Sequence, residues 1–497
     1  MKLTRILAIA TIAVCAATAA TAQTWTPVQN VPNIGAGAEA LLTNGCVLVH
    51  DESGNNGTWG NWWTLCPDLS GSYATGTWTQ VATMPSGYGP LYFGSAVLPD
   101  GRYIAEGGEY NLGSDAWTTK GAIYDPVANT WTSVAPPSGW ASIGDSPSVV
   151  LSNGTYFQSS CCDTPPQAAL LNPSTLSWTA TGTGKFDIYD EEGLTLLPGG
   201  GVLDVDAYVF QYNPTGMNYE LYNPSTGAWT SQGNTPMQYW DSSANCGGQN
   251  RASYELGPAV LMPNGTVFQT GANRCAAGHN GIYNYSNNTW TEAPDFPGSF
   301  DIADGAAALE VNGNVLMFAS PGIFNSGGQM FEWNGSAITT VPNPPNGSGD
   351  TSYYGHMLML PTGQIMFTDF SNDVELFTSA GSQYTGWTPT AIYTTAPSYQ
   401  PGQTYRVAGT NFNGVSQNNA YGDDFQDATN YPLVRFTNVG TGHVFYGHTH
   451  NHSTMAVGYH GPAYTYVDIP SNIETGTTHL QIVVNGIASS NYTVLIQ

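Results

Sequence analysis

The sequence predicts an all-β protein: a seven-bladed β-propeller over residues 23–390, then a β-sandwich over residues 391–497. Three observations predict it. The dipeptide Trp-Thr recurs at Trp25, Trp78, Trp131, Trp178, Trp229, Trp290 and Trp387, with Ile338 filling the slot between the last two, a spacing of about 50 residues. A second register repeats with it, because apolar runs end in turn glycines at Gly45, Gly101, Gly154, Gly200, Gly265, Gly313 and Gly363. The composition agrees: 9% charged residues, 12% aromatics, 59 glycines and 32 prolines suit short strands joined by tight turns.

Each element follows in chain order. Residues 1–22 read as an export signal: Lys2 and Arg5 precede an apolar run, and Ala20-Thr21-Ala22 offers a small-x-small cleavage pattern. The chain is therefore expected to be secreted, extracellular or periplasmic, with no membrane insertion. Each turn glycine joins two short strands, as in Leu98-Pro99-Asp100-Gly101-Arg102-Tyr103-Ile104. Seven hairpins give seven blades, and eight outer-strand slots leave one over, so the Trp25 strand is expected to complete the last blade. The Trp-Thr strands follow turns such as Tyr124-Asp125-Pro126 and Tyr222-Asn223-Pro224. Period and pattern together resemble the kelch repeat. Past Trp387 the period stops, and runs such as Leu433-Val434-Arg435-Phe436 and Leu480-Gln481-Ile482-Val483-Val484 predict an immunoglobulin-like sandwich.

Charge and cysteines narrow the function classes. With 9 basic against 35 acidic residues and a net charge of −26, the chain lacks the positive clusters that nucleic acid or anionic lipid requires. No oligomer signal stands out, so a monomer is expected. Beyond Cys15, six cysteines remain, and spacing favours Cys46–Cys66 and Cys246–Cys275. Cys161 and Cys162 are left either bonded to each other, or free, or cross-paired with other cysteines.

Two clusters carry candidate chemistry. In a propeller, the residues leading into each innermost strand converge on one mouth of the channel. Nine positions ahead of the turn glycines stand Ala36, Tyr92, Asp145, Glu191, Leu256, Asp304 and Tyr354. Their neighbours add Asp190, Glu192, Glu255, Tyr353 and His356. Convergent polar groups over an apolar wall are the usual form of a ligand site, here for a glycan or another small polar ligand. Crowded carboxylates repel unless protonated or bridged by a cation. The second cluster is His448, His450 and His452. On one strand their imidazoles would share a face about 7 Å apart, a spacing suited to copper, zinc or another divalent metal. Trp62-Trp63 and Tyr239-Trp240 are further candidates for stacking on sugar rings.

A kelch-type propeller followed by a terminal sandwich resembles galactose oxidase and the glyoxal oxidases over essentially the whole mature chain. The likeness is clearest in the blades and in residues 433–455. It implies a copper-dependent oxidoreductase acting on alcohols or aldehydes. In that family a loop of the terminal domain enters the channel with a copper-ligating histidine, joining a second histidine and two tyrosines, one cross-linked to a cysteine. Aligned on the turn glycines, the cross-linked tyrosine falls on Asp145 and its cysteine on Tyr92. The Tyr-His pair falls on Tyr353-Tyr354, with His356 beyond, and the terminal histidine falls near His448. Asp145 and Tyr92 cannot form the thioether. Three functions follow: binding at the mouth, a divergent metal-dependent oxidase or hydrolase, and a structural or adhesive role at the cell envelope.

Overall fold

The computed structural model describes residues 23–209, 216–242, 252–394, 396, 398–423 and 425–497. Residues 1–22, read above as an export signal, and Cys246 lie outside the described residues. The chain is all-β and strongly antiparallel, and among the described residues no helix is long and apolar enough to cross a membrane.

Seven antiparallel sheets follow the two sequence registers. Their first strands are Ala36–Leu41, Gly94–Val97, Ser148–Val150, Thr195–Leu196, Ala259–Leu261, Ala307–Leu309 and His356–Met359. Each pairs with the strand beyond its turn glycine, and two further strands complete the sheet. All seven turn glycines have φ between 80° and 98°, the left-handed region that residues bearing a Cβ enter only with strain. Their N–H groups repeat one bond, as from Gly101 to the Leu98 carbonyl at 2.9 Å and from Gly363 to the Leu360 carbonyl at 2.9 Å.

The first strands lie side by side in chain order, and His356–Met359 also packs against Ala36–Leu41, so the last sheet meets the first. The strand Thr24–Pro27 pairs with Glu375–Thr378 and supplies the outer edge of the seventh sheet. Trp387 departs from its expected role. It closes the 3-10 turn Thr385–Trp387 and is buried, because the outer position it would fill is already taken by Trp25.

The repeat tryptophans link neighbouring sheets. Trp131 Nε1 donates to the Ala82 carbonyl at 2.9 Å, Trp178 to Ala135 at 2.7 Å, and Trp25 to Pro342 at 2.7 Å. Each acceptor lies just past the outer strand of the preceding sheet, so the indole joins two sheets by contact and by hydrogen bond. Trp62 and Trp63 belong to the strand Trp62–Cys66 rather than to a loop. Trp62, Tyr239 and Trp240 are buried, which makes them packing residues and not sugar platforms. Disulfides join Cys46 to Cys66 and Cys161 to Cys162.

The C-terminal strands form a separate assembly. Val444–His450 is shared: Val444 to Gly447 pair with Leu433–Asn438, and His448 to His450 pair with Pro462–Asp468. Strands such as Thr404–Thr410 and Gly476–Val484 extend the two ends. Val407, Val434, Phe436, Val467, Leu480 and Ile482 form the apolar core between them.

Candidate functional site

An antiparallel sheet places the start of its first strand, the end of its second and the start of its third on one rim. Side chains just outside those points meet there. The lead-in residues Tyr92, Asp145, Glu191, Glu255, Asp304 and Tyr353 line one cavity of about 790 Å³. Four repeats contribute through the counted position and two more, by Glu255 and Tyr353, through the residue before it; Ala36 and Leu256 are buried. Glu109, Tyr110, Tyr208, Arg274 and Phe324 join them from beyond the second strands, and Tyr254 from beside Glu255.

The floor comes from the C-terminal part. Between Thr404–Thr410 and Leu433–Asn438 the chain leaves its own sheet and enters the centre of the seven. Asn419–Ala420 pairs with Ala307–Leu309. Leu196 N–H donates to Gln417 Oε1 at 2.7 Å, Met359 N–H to Asn419 Oδ1 at 3.0 Å, and Ser95 Oγ to the Gln426 carbonyl at 3.2 Å. The first strands of four sheets thus hold one segment, and Asp423 reaches the cavity from it. Two glycines permit the approach: a Cβ on Gly193 would lie 2.5 Å from the Gly422 carbonyl, and one on Gly422 would lie 2.8 Å from the Asp304 Cα.

Carboxylates dominate the electrostatics. Burial raises the Asp145 carboxyl well above its ordinary range, and the charges of Asp423, Asp190 and Glu109 add to the effect. Burial raises Glu191 likewise, aided by Glu255, Asp304 and Asp423. Glu109 and Glu255 are pushed up to about 7 and Asp190 to about 6, burial being the main cause in each. One oxygen from each of Glu191, Asp304 and Asp423 lies within 4.8 Å of the others.

Other expected residues stand elsewhere. Glu192 does not face the cavity. It joins Asp187, Asp204, Asp206 and Glu220 around the buried Lys185, whose Nζ stands 2.9 Å from Glu192 Oε2 and 2.6 Å from Asp187 Oδ1. One residue's shift along the backbone turns it from the rim into the sheet, where an ammonium balances its charge. Asp190 sits behind the wall, with Cys162 Sγ at 3.7 Å. Its carboxylate, Asp145 and the two cysteines form a tight group, but the sulfurs are spent in a disulfide, so only carboxylate donors remain there. Tyr354 packs edge-on to Tyr353 and Phe370. His356 is buried, stacked on Tyr421 at 5.1 Å.

The histidine cluster lies at the opposite end of the sheets. His448 faces the turn of the second sheet, where a Cβ on Gly101 would lie 2.6 Å from His448 Nε2. His448 Nδ1 and His450 Nε2 stand 3.2 and 3.4 Å from the two oxygens of Asp468. His452 does not share their face. The strand ends at His450, and His452 turns inward to stack on Tyr431 and contact Thr465 Oγ1 at 2.9 Å. The segment that enters the centre is therefore not the one that bears these histidines. Among the described residues a copper–tyrosyl arrangement does not fit: Tyr353 has no thiol beside it, His356 is stacked on Tyr421 away from the cavity, and His448 is on the far rim. Hard oxygen donors line the cavity in place of the imidazoles copper favours.

No protein-family model matches the chain, and no curated protein matches it.

The residues missed at the sequence level divide into two kinds. Glu109, Tyr208, Arg274 and Phe324 follow second strands, so counting forward from each turn glycine as well as back would have gathered them. Asp423 carries no such signal, since nothing local marks 411–431 as a segment bound for another sheet's centre.

Proposed function

We propose that the chain is a secreted, kelch-type seven-bladed β-propeller with an immunoglobulin-like sandwich, and that its central cavity binds a glycan or another hydroxyl-rich ligand. The observation that carries this reading is the convergence of carboxylates and aromatic rings from six repeats on one cavity. Carboxylates accept hydrogen bonds from sugar hydroxyls, and rings such as Phe324 and Tyr92, which meet aromatic neighbours edge-on, suit the apolar side of a pyranose. Among the described residues of the lining, six acidic side chains stand against Arg274, which disfavours uronates and sulfated sugars and favours neutral or amine-bearing ones. A screen of neutral, amino and acidic oligosaccharides by calorimetry tests it. Binding of the first two classes, weakened at least tenfold by Phe324→Ala, is expected; preference for acidic sugars, or no sugar bound, would refute it.

A second reading, acid–base chemistry on the bound glycan, rests on Glu109, which lines the cavity and whose carboxyl burial pushes up to about 7. New reducing ends released from a bound oligosaccharide, and lost in Glu109→Gln, would support it. Intact oligosaccharide after prolonged incubation would leave binding as the sole activity.

A further inference from the structure

Two groups of buried carboxylates stand close together in the chain. Around Lys185, five of them share one ammonium, with Nζ–O distances from 2.6 to 3.6 Å. A second group stands in the cavity floor. Glu191 leads into the fourth sheet, Asp304 into the sixth, and Asp423 arrives on the central segment, yet one oxygen of each falls within 4.8 Å of the other two. A calcium ion holds oxygens at about 2.3–2.6 Å, so ligands on opposite sides of it stand about 5 Å apart at most. These three oxygens fit inside one such shell.

An independent observation comes from the fifth sheet. Glu255 is 6% exposed, and its carboxylate lies against those of Asp304 and Glu191. Its Oε2 is buried and, among the described residues, meets no nitrogen or hydroxyl donor. A carboxylate oxygen withdrawn from water without a donor is strongly unfavourable, and no local fold requirement explains its placement beside two more carboxylates. A hard cation would satisfy it. Four carboxylates without nitrogen or sulfur donors match calcium better than copper or zinc, and magnesium's small, rigid octahedron less well.

We propose that Glu191, Glu255, Asp304 and Asp423 hold a calcium-class divalent cation in the cavity floor, whose remaining coordination positions receive hydroxyl oxygens of the ligand. The second half rests on the glycan-binding reading; the first does not.

The test uses the full mature chain, stripped with EGTA and titrated with calcium alone. One equivalent is expected to bind, with a rise in Tm of about 5 °C at saturation. Both effects should disappear in Asp423→Asn and Glu255→Gln and persist in the His448→Ala, His450→Ala double variant. Metal analysis of the wild-type protein after dialysis against calcium gives the stoichiometry without any variant. Less than a tenth of an equivalent retained, with an unchanged Tm, would overturn the site, as would binding that survives both floor variants but not the histidine variant. Sugar affinity that is the same in EGTA and in calcium would overturn the bridging role while leaving the glycan reading intact. Calcium bound with no sugar recognised would leave the cation site standing and the glycan reading refuted.

Discussion

Tyr92, Glu191, Tyr254, Asp304 and Phe324 all hold φ between 49° and 70° around the cavity. For residues with a Cβ this conformation costs about 1 kcal/mol or more apiece, and such strain clusters where geometry serves a ligand. Glu191 combines it with a buried acid. Glu191→Gly is therefore expected to keep or raise Tm while weakening ligand and cation binding; a Tm several degrees lower would show that the strain reading is wrong. The tryptophan bonds offer the opposite case. Trp131→Phe keeps most of the ring contact but removes the bond to Ala82, and should lose about 1 kcal/mol in denaturant unfolding; an unchanged midpoint would mean that the bond contributes nothing. At this scale the sequence was most legible where position within a repeat decides direction. Asp145, Glu191 and Asp304 could be placed by counting from a glycine, whereas Glu192 could not, because the turn from rim to interior takes place between two adjacent glutamates.

Among the elements, the segment 411–431 does what no periodic pattern marks. It is held mainly by side-chain amides and carbonyls of Gln417, Asn418, Asn419 and Gln426, together with Tyr421 and Phe425 packed on His356. Polar residues in a Gly- and Asn-rich stretch look like an exposed loop until the strands that receive them are known. Replacing 417–427 with a Gly-Ser linker should abolish ligand binding and lower Tm, since it uncaps four first strands at once. Retained binding would place the ligand outside the cavity. The hairpins and the strands of residues 433–484 were readable because alternation and turn glycines are local signals. The alignment by resemblance went astray at His448 for the complementary reason: a histidine's position in a strand does not say which end of another sheet it will face.

For the molecule as a whole, many carboxyls are buried in the sheets rather than displayed. Burial pushes Asp301 and Glu310 up to about 8 and Glu375 to about 10. A carboxyl whose folded pKa is raised contributes stability that is complete below its unfolded value and is lost as pH rises through the folded one. Between pH 7 and pH 9 these carboxyls lie between their unfolded and folded values, so Tm should fall steadily over that range. Repulsion from the net charge of −26 acts in the same direction but is screened by salt. A decline that persists in 0.5 M NaCl is the expected result; a flat or rising profile there would mean these groups are ionised in the native state. The all-β class and the count of repeats were open in the composition and the spacing. How the C-terminal part engages the seven sheets was not, because that contact is made by shape and hydrogen bonds between stretches far apart in the chain.

The strand Thr24–Pro27 leaves the ribosome early, and its partner Glu375–Thr378 appears only after six sheets' worth of polypeptide. During synthesis this stretch must wait without its mate. In the finished protein it works as a clasp whose two halves are the most distant parts of the repeat array. A protease cut between Pro27 and Ala36 would leave that clasp attached by pairing alone, and its slow release would open the seam from the outside inward.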